Sequence, residues 1–298
     1  MPTLKQLRYL DALATHRHFG RAAQSCRVSQ PALSMQIADL EAELGVIVLE
    51  RLRRELVFTA RGAEIATRGR DILTAVNDLV DFARQSEGPL AGTLRLGVIP
   101  SVAPYLLHRL LPLLKRDYPG LGLTLYETQT TSLLLELQQG RIDAALLALP
   151  SEMEGLVEMV LFDDPFLLAL PADHPLASLE TVSPQDLEGE RVLLLEQGHC
   201  LRDQAVSFCR GLGIVELDGL GATSLSTLVQ MVANGYGVTL LPRLAVQSEM
   251  RDPCSIVVKS FRQPAPQRRL GLVWRSTSPR APDFEAMGRL IQQTAGDP

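Results

Sequence analysis

The sequence predicts an α/β chain of two parts. A small N-terminal winged helix-turn-helix is carried on a long linker helix, and a larger body of two α/β subdomains follows. Three observations predict it. Residues 1–70 hold 11 Lys/Arg against 7 Asp/Glu, a net of +4, while the rest hold 18 against 27, a net of −9. Between residues 59 and 83, apolar and small side chains recur at alternating intervals of three and four. From Thr93 onward, short apolar strands alternate with amphipathic helices, as in a parallel sheet with helical crossovers.

These observations divide the chain into a head at 1–60, a linker helix at 59–86, a hinge at 87–92 and a body at 93–298. A basic head on an acidic body is a weak pointer to nucleic acid. No run of eighteen uncharged apolar residues occurs, so no membrane span is expected. Met1–Gln6 lacks the apolar core of a signal peptide, so a cytoplasmic location is expected, where structural disulfides are rare. The four cysteines, 26, 200, 209 and 254, show no zinc spacing. Glu196, His199 and Asp203 have no ligand spacing either, and neither metal nor cofactor is expected.

In the head, Thr3 and Gln6 have capping-box spacing, and Leu7, Leu10 and Leu13 share one face. A helix is predicted over 4–15. A second, over 19–25, turns Phe19, Ala22, Ala23 and Cys26 inward. Ser29 is a good N-cap, and Pro31 is tolerated in a first turn. Val28 and Leu33 then stand at hydrophobic-staple positions. Leu33, Ile37, Leu40 and Leu44 form an inward stripe ending at Gly45. The other face offers Gln30, Ser34 and Gln36, groups that can hydrogen-bond base edges or phosphates. Arg51, Arg53 and Arg54 precede Leu56-Val57-Phe58, which reads as a small β-wing with phosphate-contacting arginines. A small three-helix domain with a solvated polar face would look much the same.

The linker pattern, Ile65, Gly69, Ile72, Val76, Leu79 and Ala83, is a coiled-coil seam. Glu64 and Arg68 add an i, i+4 pair. One helix with such a seam needs a partner, which predicts a dimer through residues 59–83.

In the body, strands are predicted at 93–99, 121–127, 144–149, 156–162, 165–171, 191–195, 237–241 and 269–275. Helices are predicted at 105–118 and 131–139. Ligands favour the carboxyl ends of parallel strands. Ser101 and Thr130 would point hydroxyls there, although Ser and Thr at such junctions are more often helix caps.

One stretch carries chemistry: Gly198-His199-Cys200-Leu201-Arg202-Asp203-Gln204, continuing to Phe208-Cys209. Leu201, Ala205 and Phe208 have helical spacing, which places Cys200 near a helix start. Helix N-termini and cationic neighbours favour thiolates. A continuous helix would hold the two Cα atoms about 13.5 Å apart, whereas a disulfide needs roughly 5.5–6 Å. A reduced helix and a disulfide would therefore exclude each other. On spacing alone, two cysteines packed as small apolar groups is the plainer reading.

The ordered run Phe19-Gly20-Arg21-Ala22-Ala23, Val28-Ser29-Gln30-Pro31-Ala32-Leu33-Ser34, Ile37, Leu40-Glu41 and Leu44-Gly45 resembles the LysR-type transcriptional regulators. Leu49-Glu50-Arg51 and Phe58-Thr59-Ala60-Arg61-Gly62 extend the match. The resemblance implies a helix-turn-helix at about 18–37 that binds double-stranded promoter DNA through Ser29, Gln30, Pro31, Ser34, Gln36, Arg51 and Arg53. It also implies a periplasmic-binding-protein-like regulatory domain. Its subdomain I would be 93–163 with 268–298 and its subdomain II 164–267, with crossings near Asp163 and Gln267. A homotetramer and contact with RNA polymerase are further expectations.

The Gly198–Gln204 stretch with Phe208-Cys209, Val98-Ile99-Pro100, Ala103–Leu107, Ala222–Leu225 and Leu270–Val273 is similar to the peroxide-sensing members of that family. This implies that hydrogen peroxide oxidises Cys200 and that Cys209 closes a disulfide. Ser101, Thr130, His199 and Arg268 would surround the peroxide. Ser101 departs from the threonine usual there, and Arg268 against Arg269 depends on strand register. Two other readings stay open: a regulator that binds an organic effector in the cleft, and a thiol peroxidase enzyme, which would not need the head.

Overall fold

The computed structural model describes residues 1–52, 55–84, 88–209, 215–216, 222–250 and 255–295. The chain forms two compact units, Met1–Arg84 and Gln85–Pro298.

The first unit opens with α1 (Leu4–His16), whose Thr3/Gln6 capping box is formed. Then come α2 (Phe19–Ser25) and α3 (Gln30–Leu44). Ser29 caps α3 by accepting from the Ala32 N–H, and Gly45 ends it in the left-handed conformation that glycine adopts at little cost. The antiparallel wing pairs β1 (Leu49–Leu52) with β2 (Glu55–Phe58). Leu10, Leu13, Ala22, Ala23, Leu33, Ile37 and Leu40 fill the core, with Cys26 packed at its margin. The inward stripe stops short of prediction: Leu44 is 37% exposed, because the helix ends there and the core does not reach it. Ser34 and Gln36 are half-buried, while Gln30 is exposed. Arg53 and Arg54, and the Arg51 side chain, lie outside the described residues.

Helix α4 (Ala60–Arg84) is the predicted linker helix. Its first half belongs to the head. Ala66 enters the head's core, and a Cβ on Gly69 would stand 3.2 Å from Leu7 Cδ2 of α1. Gly69 is therefore not a seam position toward a partner but the point of close approach to α1. The exposed apolar residues lie further along, with Ile72 at 49%, Leu79 at 66% and Phe82 at 64%. Glu64 and Arg68 form the expected pair, at 2.7 Å.

In the second unit, β3 (Thr93–Val98), α5 (Ala103–Asp117), β4 (Gly122–Glu127), α6 (Thr130–Gln138) and β5 (Ala144–Leu149) build the parallel β4-β3-β5 sheet. The strands predicted at 156–162 and 165–171 are one continuous strand, β6 (Leu156–Pro171). Asp163-Asp164-Pro165 reads locally as a break, but a ladder partner holds it extended. Beyond β6, the strand predicted at 191–195 is only the pair Arg191–Val192, here β8 after the short β7 (Thr181–Val182).

There follow α7 (Cys200–Cys209), β9 (Val215–Glu216), α8 (Leu225–Ala233), β10 (Thr239–Pro242), α9 (Arg243–Glu249), β11 (Ile256–Phe261), β12 (Gln267–Arg275) and α10 (Ala281–Ala295). Strand β11 was not predicted. Strand β6 pairs with β12 as far as Pro165 and with β10 and β11 from Phe166 on. It thus runs through two separate cores. One holds Leu94, Leu96, Leu133, Leu146, Leu270 and Phe284; the other holds Phe166, Leu168, Leu195, Leu201, Ala205 and Leu240. Among the described residues, no helix is long and apolar enough to cross a membrane.

Candidate functional site

The two cores meet at Cys200. The cysteine is the first residue of α7 and packs against the first core, while Leu201 and Ala205 of the same helix are buried in the second. Arg202 fixes the start of the helix. Its N–H donates to the His199 carbonyl at 2.9 Å, and its guanidinium donates to the Leu195 carbonyl at 3.0 Å. At the other end Phe208 meets Phe261 edge to face, with ring centroids 5.3 Å apart. Cys209 closes the helix; its side chain lies outside the described residues, as does Cys254.

Cys200 lines a cavity of about 10 Å³ together with Ile99, Pro100, Ser101, Gln129, Thr130, His199 and Leu201. That is near the smallest space that holds one water-sized molecule. It is far below the roughly 300–1,000 Å³ of a pocket for an organic ligand. Thr130 is the first residue of α6 and not its cap, since Gln129 stands at the cap without a side-chain bond. Its buried hydroxyl has no hydrogen-bond partner among the described residues. Ser101 does not cap either, because Val102 occupies that position of α5.

Ser101 is instead held from below. Its Oγ accepts from Arg268 Nη1 at 2.7 Å, and its carbonyl accepts from Nη2 at 3.1 Å. With Oγ already accepting, its own proton can be donated into the cavity. Arg268 is fully buried and paired with Asp164, Nε to Oδ2 at 3.0 Å. Asp164 Oδ1 accepts from the Leu244 N–H at 3.0 Å. Both charges of the pair therefore have their partners, as a buried ion pair requires. The register is decisive: Arg268 stands opposite Asp164, and Arg269 opposite Asp163. Arg269 forms an exposed pair with Asp163 at 3.1 Å.

Sequence reasoning missed two contributors. Asp164 gave no signal beyond an apparent turn. Gln129 is pressed against Gly198, where a Cβ would fall 2.5 Å from Gln129 Oε1 at a φ of +93°. The glycine before His199 was the only visible trace of that contact. A wider cavity of about 400 Å³ is lined by Leu149, Glu158, Asp163, Gln204, Arg268 and Arg269 among others. Neither His199 nor Cys200 lines it.

A winged helix-turn-helix followed by a two-core α/β unit defines a class, that of bacterial one-chain transcription regulators. Residues 4–63 match the family described as bacterial regulatory helix-turn-helix protein, lysR family, and residues 87–296 match the LysR substrate binding domain. The chain belongs to the LysR family. It is 47% identical over 289 residues to the DNA-binding transcriptional dual regulator OxyR of Escherichia coli, covering 97% of this chain and 94% of that one. It is 43% identical to a probable hydrogen peroxide-inducible genes activator of Streptomyces viridosporus, at 99% and 95% coverage. Full-length Pseudomonas aeruginosa OxyR with a cysteine-to-aspartate substitution superposes with a TM-score of 0.79 at 36% identity, covering 98% of each chain. A Corynebacterium glutamicum OxyR cysteine-to-serine mutant with hydrogen peroxide bound gives 0.69 at 37% identity, covering 99% of this chain and 93% of that one.

Proposed function

We propose that this chain is a DNA-binding transcriptional regulator switched by hydrogen peroxide through Cys200 and Cys209. The observation that carries the reading is the cavity of about 10 Å³ at Cys200, ringed by His199, the Arg268-held Ser101 hydroxyl and the Thr130 hydroxyl, which has no hydrogen-bond partner among the described residues. In the first step the Cys200 thiolate attacks one peroxide oxygen. An S–O bond forms, the O–O bond breaks, and the departing hydroxide takes up a proton to leave as water. Ser101, Thr130 and His199 would steady the charge that develops on that oxygen. In the second step the Cys209 thiolate attacks the sulfenic sulfur of Cys200. A disulfide forms and a second water leaves. Two electrons pass from the thiols to peroxide.

The helix sets the mechanical condition. Nine residue steps within α7 part the two Cα atoms by about 13.5 Å, so the disulfide requires α7 to unwind. The refolded segment would reshape the second core's surface and move the DNA heads of a dimer. The head's Ser29, Gln30, Pro31, Ser34 and Gln36 would face the DNA, with Arg51 and Arg53 on phosphates. Ile72, Leu79 and Phe82 would form the dimer contact of α4, within a homotetramer. A cytoplasmic location and contact with RNA polymerase complete the reading.

The cysteine pair and the small cavity favour this over an organic effector, and the head favours it over a stand-alone peroxidase. The test is peptide mapping after one equivalent of hydrogen peroxide. A Cys200–Cys209 disulfide is expected, and its absence would sink the proposal. Cys200→Ser should abolish the response while DNA binding persists.

A further inference from the structure

Helix α3 presents an outward face that the polar readers leave unexplained. Leu33, Ile37 and Leu40 are buried on one side. At 3.6 residues per turn, the opposite side carries Pro31, Met35 and Ala38. All three are exposed, and Met35 is 60% exposed. An unbranched thioether standing alone in solvent gains nothing for the fold, since it touches no core. Its neighbours are small: Ala38 has no side chain beyond Cβ, so a flat surface could approach Met35 closely. Further along the helix the character changes. Asp39 is exposed and accepts from Gln36 Nε2 at 3.2 Å, and Glu41 and Glu43 follow. Glu41 accepts from the Val48 and Leu49 N–H groups and Glu43 pairs with the N-terminal ammonium; the exposed Asp39 carboxylate would repel phosphates, which favours DNA contact by the first half of α3, where Met35 sits.

We infer that Met35 is a specificity-determining residue that reads the C5-methyl group of a thymine in the major groove by direct apolar contact. The thymine methyl is the one apolar group a base pair offers there, and apolar side chains are its natural complement. The inference rests on the DNA-binding reading above and adds a base and an atom to it. Gln30 and Ser34 offer hydrogen bonds, but neither can sense a methyl group; Met35 can. Because Met35 carries no load in the head's core, its replacement changes the reading surface and leaves the fold intact.

The experiment uses the full chain. Binding sites are selected from a random duplex library, and each thymine of the recovered half-sites is replaced in turn by uracil, which removes only the methyl. At one thymine or more per half-site, the native chain is expected to lose about fourfold in affinity, the worth of one buried methyl-sized group. Met35→Ala should bind the thymine duplex about that much more weakly and be indifferent to uracil at the same position. Met35→Leu should keep the preference. Indifference of the native chain to every uracil substitution would overturn the inference, as would an unchanged uracil penalty in Met35→Ala. Recovery of no preferred duplex at all would overturn the DNA-binding reading itself, and this inference with it.

Discussion

Phe208→Ala tests the mechanical core of the switch. Phe208 is half-buried against the second core and meets Phe261 edge to face, with centroids 5.3 Å apart. Full burial of a phenylalanine is worth about 1.5–3 kcal/mol, so half-burial contributes about 1 kcal/mol. The aromatic pair adds about 1 kcal/mol more. If unwinding α7 releases Phe208, the disulfide state has already lost these contacts. The substitution then destabilises the dithiol state alone, by about 2 kcal/mol. At about 30 mV per 1.4 kcal/mol for a two-electron couple, the Cys200–Cys209 potential should fall by about 40 mV. The sign is fixed: with its dithiol form weakened, the couple becomes a poorer oxidant and is harder to reduce. The assay is equilibration in graded thiol–disulfide buffers, with the reduced fraction read by thiol alkylation. An unchanged or raised potential would refute the claim that disulfide formation removes Phe208 from its packing.

Asp164→Asn removes the counter-charge of the buried Arg268 and should cost about 3–5 kcal/mol. Thermal unfolding should show it as a loss of roughly 10 °C in Tm. Gly198→Ala places a Cβ 2.5 Å from Gln129 Oε1 and displaces His199 and Cys200. Stopped-flow oxidation of the thiol should slow roughly tenfold to a hundredfold, while circular dichroism keeps its native form. Leu79→Glu combined with Phe82→Glu sets charges on the exposed stripe of α4. Sedimentation should then show a smaller species than the native chain gives at the same concentration.

The head was the most legible part of the chain because its signals are local. A capping box, an N-cap serine, a first-turn proline and a terminal glycine each act within four residues, and all are formed. Gly69 misled because heptad spacing says that a residue faces a neighbour and not which one; here the neighbour is α1 of the same head. In the body, strand β6 was divided at Asp163-Asp164-Pro165 because a buried aspartate is improbable without its partner. That partner, Arg268, lies 104 residues away across a ladder. The same cause hid Asp164 as the support of Ser101 and left Arg268 and Arg269 undecided. Neighbouring residues of a strand face opposite sides, and only the observed register assigns the sides. Gln129 was invisible for a related reason, since its contact is with a glycine backbone and leaves no complementary side chain to find.

The cavity at Cys200 has walls of two kinds. Ser101 is held by Arg268 and Asp164, and so by strands β12 and β6, which are paired in a ladder as far as Pro165. The wall bearing His199 and Cys200 begins a ten-residue helix, held by Leu201, Ala205, Phe208 and the Arg202 clasp. If Cys200 and Cys209 act as proposed, how fast the thiol is oxidised would depend on the residues that line the cavity, and how readily the oxidised form persists on the packing of the rest of α7. Under the proposed mechanism, substitutions in the second half of α7, beyond Cys200 and Leu201, would move the threshold at which the alarm resets without blunting the detector. Substitutions around Ser101 can sharpen or dull the detector without moving the reset point. A lineage facing steady oxidant and one facing sudden bursts could each adjust the dial it needs, leaving the other in place.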